Sequence, residues 1–139
     1  MVTLYYAGIF GIMYLFLGFY VVKNRRLHRI SLGTGKDVPA LERAVRIHGN
    51  FSENIPLFLI LLMLIEMHGT PYWLLHIFAI FMLVGRILHA LGIRQKEGAS
   101  RERFFGMLLT WLAILLASLV AIYLSLHNGF VMTLEMLNQ

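Results

Sequence analysis

The stretch Glu42-Arg43-Ala44-Val45-Arg46-Ile47-His48-Gly49-Asn50-Phe51-Ser52-Glu53-Asn54-Ile55-Pro56 runs without a break into Leu57-Phe58-Leu59-Ile60-Leu61-Leu62-Met63-Leu64-Ile65. Charged and amide side chains in so apolar an element cost several kcal/mol unless they are paired or wetted. Wound as a helix at about 100° per residue, Glu42, Arg43, Arg46, Asn50, Glu53 and Asn54 fall within roughly a third of the circumference. A stripe of that kind faces a partner, an aqueous cavity or a ligand rather than lipid.

The rest of the chain agrees with a lipid surrounding. Of its 139 residues, 59% are hydrophobic, and the mean hydropathy is +0.74. Soluble domains carry about 45–50% apolar residues, and a single globule of this length cannot hide the excess. The absence of Cys excludes disulfides, a thiolate nucleophile and Cys-ligated metal. Net charge is +5, yet all twelve Lys and Arg lie within residues 23–46 and 86–103. Two basic segments between apolar spans follow the positive-inside rule. A nucleic-acid binder would carry them on one soluble face, so nucleic acid is not an expected partner.

Hydrophobic runs predict helices at about 4–22, 40–67, 72–93 and 103–126. The first lacks the basic leader and small-residue cleavage site of a signal peptide, and reads as a retained span with its N-terminus outside. Lys23 to Arg29 reads as a topology anchor, with a role at a ligand open for the residues nearest the helix. Asp37 is an expected N-cap and Pro39 an expected first-turn residue of the second helix. Pro56 predicts a mild kink there. Glu66 to Pro71 reads as a short outer turn, and Gly92 to Ser100 as a polar inner loop. His127-Asn128-Gly129 is expected to end the fourth helix. The fold class is all-α: a four-transmembrane-helix up-down bundle, N-out and C-out, with both basic loops inside.

Two readings of the polar stripe stay open. In the structural one, Glu42 pairs with Arg46, Arg46 with Glu53, and Asn50 bridges helices. In the functional one, Arg86, His89 and Arg103 join the stripe from other helices at one depth and build a cavity for a small anionic ligand. Arg offers a planar fork for carboxylates, Glu53 could hold an ammonium group, and an Arg beside a thiol favours the thiolate. The histidines lack paired ligand spacing, so no metal site is expected.

Glu42-Arg43-x-x-Arg46-x-His48-Gly49-Asn50-x-x-Glu53-x-x-Pro56 resembles the signature of the MAPEG family, the membrane-associated proteins in eicosanoid and glutathione metabolism. Gly85-Arg86-x-x-His89-Ala90-x-Gly92 and Arg103-x-x-Gly106-Met107-x-x-Thr110 resemble later blocks of its bacterial members. The resemblance implies a homotrimer in the bacterial inner membrane, its basic loops cytoplasmic, with glutathione bound between subunits as co-substrate. It places Arg46, Asn50, Glu53 and His89 at glutathione-contacting positions. It makes Arg103 the catalytic residue that stabilises the thiolate, with Arg101 as its rival. Lys23, Arg25 and Arg26 compete for a further basic position. Gly49, Ile93 and Phe104 depart from arginine, tyrosine and serine found in other members. The implied function is a glutathione transferase or peroxidase acting on hydrophobic electrophiles or lipid hydroperoxides. The alternative is a non-enzymatic protein that binds a lipid or small anion in the same cavity; a transporter fits less well, because paired broken helices are missing.

Overall fold

This computed structural model describes residues 1–35, 37–95 and 100–137, with side chains described up to Asn128 except at Gln95; Lys36, Lys96 and Glu97 lie outside the described residues. Among the described residues four helices follow one another: α1 (Val2–His28), α2 (Pro39–Met67), α3 (Tyr72–Gln95) and α4 (Arg101–Leu137). All four include a segment long and apolar enough to cross a membrane. They alternate in direction, because the start of α1 meets the end of α2, and the end of α3 meets the start of α4. We call the end where α1 and α3 finish the basic end. Around the bundle, α1 touches α2 and α3, and α4 touches α3 and α2; α1 and α4 do not meet among the described residues.

The helix ends depart from expectation where local chemistry is stronger than composition. α1 continues through Lys23 to His28, since cations are favoured in the last turn of a helix. It closes on Arg29 in the left-handed region (φ 54°), with Ile30 N–H donating to the Arg25 carbonyl at 3.1 Å. Asp37 does not cap α2: Val38 holds the N-cap position without a side-chain bond, and Pro39 follows it. A proline there has no N–H to leave unsatisfied. α2 is continuous through Pro56. α4 passes through His127-Asn128-Gly129 to Leu137. A single glycine costs a helix only about 1 kcal/mol, and an apolar run, Phe130-Val131-Met132, follows it.

The core follows helical spacing. α2 buries Leu41, Ala44, Ile47, Phe51, Ile55, Phe58, Leu62 and Ile65. α1 adds Tyr6 and Phe10, whose ring meets Phe51 and Phe58 edge-on with centroids 6.2 and 6.4 Å apart. The buried row of α2 lies across the helix from Glu42, Arg46, Asn50 and Glu53. The polar stripe therefore faces away from the protomer's own core.

α3 and α4 form the most extensive helix pair. α4 presents a small-residue face of Gly106, Thr110, Ala113 and Ala117, all buried. A Cβ on Gly106 would stand 2.7 Å from the Gly85 carbonyl oxygen. Only hydrogen fits, so the two backbones pack close, as small residues permit between helices in lipid. At the opposite end, the Glu66 carboxylate accepts from the N–H of Val2 (2.6 Å) and Thr3 (2.9 Å), tying α2 to the start of α1.

Candidate functional site

At the basic end, α2, the end of α3 and the first turn of α4 enclose a cavity of about 340 Å³, lined by Pro39, Glu42, Arg43, Arg46, Asn50, Ile93 and Arg103. α2 supplies most of these because its polar residues recur at three- and four-residue intervals on one face. Arg46 donates from Nε to the Glu42 carboxylate at 3.0 Å. The Asn50 amide nitrogen donates to the Arg46 carbonyl at 2.9 Å, within its own helix. The expected bridge from the Asn50 side chain to another helix is not formed by that amide nitrogen. The bridging role falls to Arg86, which donates from Nη1 to the Asn50 main-chain carbonyl at 3.1 Å. Glu53 does not extend the Glu42–Arg46 ladder, because its carboxylate lies outside ion-pair distance of Arg46.

Arg103 is positioned by backbone contacts. Ser100 caps α4, its hydroxyl accepting from the Arg103 N–H at 3.2 Å. Gly92 presses against this turn; a Cβ there would lie 2.6 Å from the Arg103 nitrogen. The end of α3 thus sets where the Arg103 side chain starts. Arg103 belongs to the cavity lining and Arg101 does not.

Five residues carry the expectation of a site, and they fall in three places. Arg46, Asn50 and Arg103 share the cavity. Glu53 follows Asn50 by one turn on the same stripe, but is exposed and outside the lining. His89 is 5% exposed, held between α3 and α4 behind the cavity, where Gly106 faces its backbone. Arg86 also turns inward, 4% exposed. Its Nε and Nη2 donate to the Thr110 hydroxyl at 3.0 and 2.6 Å, and that hydroxyl donates to the Gly106 carbonyl at 2.8 Å. One guanidinium so joins α2, α3 and α4. Of the rival basic residues at the end of α1, Arg25 is engaged in its own loop, donating to the carbonyls of Ser31 and Gly33 at 3.2 and 2.9 Å.

Three guanidiniums, one amide and one carboxylate around one hollow make a cationic site for a polyanionic or zwitterionic small molecule. Glu42 and Arg43 belong to it as much as Arg46. The regular spacing of the α2 stripe already marked them, but nothing in the spacing distinguished pairing from ligand contact.

The MAPEG family model matches residues 3–123. The chain belongs to the MAPEG family. Inner membrane protein YecN of Escherichia coli K12 is 36% identical over 123 residues, covering 88% of this chain and 92% of that protein. The same protein from an O6:H1 strain of Escherichia coli matches equally. With its four apolar helices, this MAPEG member is a multi-pass protein of the inner membrane.

Proposed function

We propose that this MAPEG protein binds glutathione at the basic end and conjugates it through its sulfur to hydrophobic electrophiles, or uses it to reduce lipid hydroperoxides. The observation that carries this reading is the meeting of Arg46, Asn50 and Arg103 on one cavity, with Glu42 and Arg43 beside them. Glutathione brings two carboxylates, one ammonium and one thiol. Arg43 and Arg46 suit the carboxylates, Glu42 the ammonium, and Asn50 the peptide groups. Arg103, at the start of another helix, is the group to stabilise the thiolate. The thiolate would form a bond to the electrophilic carbon while the leaving group departs with its electron pair. With a hydroperoxide, it would attack the distal oxygen; the O–O bond would break, the alkoxide would leave and take up a proton, and a second glutathione would displace water from the sulfenic acid to give the disulfide.

The outward face of the α2 stripe supports a homotrimer, in which a neighbouring subunit covers Glu53 and closes the open side of the cavity. His89 would then act from behind by holding α3 against α4. Charge asymmetry supports cytoplasmic basic loops. Ile93 favours the second reading: it puts an apolar side chain in the lining, which suits a non-enzymatic site for an amphiphilic anion.

Calorimetry with glutathione on detergent-purified protein, followed by turnover of a chromogenic electrophile, separates the two readings. Wild type is expected to bind and turn over. Arg103→Ala is expected to bind but to lose about tenfold or more in rate at neutral pH, since one pKa unit of the thiol changes the thiolate fraction about tenfold. Heat protection by a lipid anion, with neither glutathione binding nor turnover, would leave the binding-only reading.

A further inference from the structure

A second hollow, of about 240 Å³, opens between α1 and α3 near the basic end. Met13 and Leu17 form one wall, Ile87 and Leu91 the other, and Ile47 of α2 the floor. Tyr20 and Arg94 stand where it approaches the basic end. Neighbouring residues separate it from the polar cavity: Arg46 and Ile93 line that cavity, whereas Ile47 and Arg94 line this hollow. α2 and α3 form the wall between them.

The charge arrangement is specific. Arg94 is exposed, and among the described residues no carboxylate pairs with its guanidinium. Lys23, also exposed, follows Tyr20 by one helical turn toward the basic end. From Ile87 to Arg94 the helix rises about 10 Å, so an apolar channel leads to a cation and a phenol at headgroup depth. Tyr and Arg are residues that place a polar tip at the interface above an apolar stem.

We propose that this hollow binds one anionic glycerophospholipid from the leaflet at the basic end. An acyl chain lies between Met13, Leu17, Ile87 and Leu91. The phosphate accepts from Arg94 and from the Tyr20 hydroxyl. A zwitterionic lipid would bring its own cation toward Arg94 and Lys23, so net negative headgroups are selected. The site is separate from the glutathione cavity and does not depend on catalysis.

Native mass spectrometry of the full-length protein, loaded with equimolar phosphatidylglycerol and phosphatidylcholine of matched chains, tests this. Wild type is expected to retain phosphatidylglycerol about fivefold over phosphatidylcholine, the ratio set by roughly one cation at an anionic headgroup. Arg94→Gln should cut the ratio to about two or below, the remainder being due to Lys23, and Arg94→Lys should keep more of it. Ala90 also lines the hollow, and Ala90→Trp, which fills it, should reduce retention of both lipids; Arg46→Ala, in the other cavity, should leave the preference unchanged. Glycerol phosphate, lacking acyl chains, should give no thermal protection. Equal retention of the two lipids by wild type, an undiminished preference in Arg94→Gln, or loss of the preference in Arg46→Ala would overturn the proposal. Because Arg94 is exposed, its substitution tests the site even if Ala90→Trp does not fold.

Discussion

Glu66 stands in the last turn of α2, where the helix dipole disfavours a negative charge. It is stable there because its carboxylate accepts from two free N–H groups at the start of α1. α1 has no side-chain cap of its own from Met1, so a residue of another helix does the capping. Removing a capping acceptor costs about 1–2 kcal/mol. Glu66→Ala is expected to lower the unfolding temperature in detergent, and Glu66→Gln to lower it less. Equal stability of all three proteins would show that the two N–H groups find other acceptors. Arg86 illustrates the same rule for a cation. Buried in an apolar bundle, it is held by a hydroxyl and a carbonyl; among the described residues it has no carboxylate partner.

Among the elements, the α3–α4 pair depends most on the absence of side-chain atoms. Gly106 faces the backbone of Gly85 and His89, whereas Gly8 of α1 has open space around a Cβ position. Overpacking a close contact costs about 1–3 kcal/mol. Gly106→Ala is therefore expected to destabilise the protein by that amount, measured by thermal unfolding in detergent, while Gly8→Ala should have little effect. The spans of all four helices were legible in their hydrophobic runs, and the face of α2 in the recurrence of Arg46, Asn50 and Glu53. The rotation of each helix about its axis was not. Arg86 and His89 share a face of α3, and nothing in that spacing says the face turns toward Thr110 and Gly106 rather than into the cavity. Small residues at 106, 110, 113 and 117 carried the missing signal, since a face of that kind seeks another helix. Glu66 was read as part of a turn because its partners are main-chain groups, which have no sequence signature. Arg46, Asn50 and Arg103 of the candidate site could be named from the sequence; the company of Glu42, Arg43 and Ile93 needed the packing of α3 against α2.

For the whole molecule, the telling feature is a charged stripe directed away from its own core. An ionised side chain near the middle of a span costs about 2.5–3.5 kcal/mol on insertion scales, and Glu53 is exposed in the single protomer. A neighbouring copy would remove that exposure. Native mass spectrometry from mild detergent is expected to give a trimer, and Glu53→Lys, which puts another cation on the Arg46 face of α2, is expected to shift it toward protomers. A wild type that runs only as protomers would remove the oligomeric reading. The staple at Glu66 has a mechanical side as well. It joins α1 and α2 at one extremity; from there α1 runs about 40 Å to the basic end, packed on α2 through Phe10 and Tyr14. A swing of about 3° about that fulcrum carries its far tip through about 2 Å. Widening the gap between α1 and α3 by about 2 Å at the distant extremity therefore needs only about 3° between the two rods, a turn too small to disturb the staple.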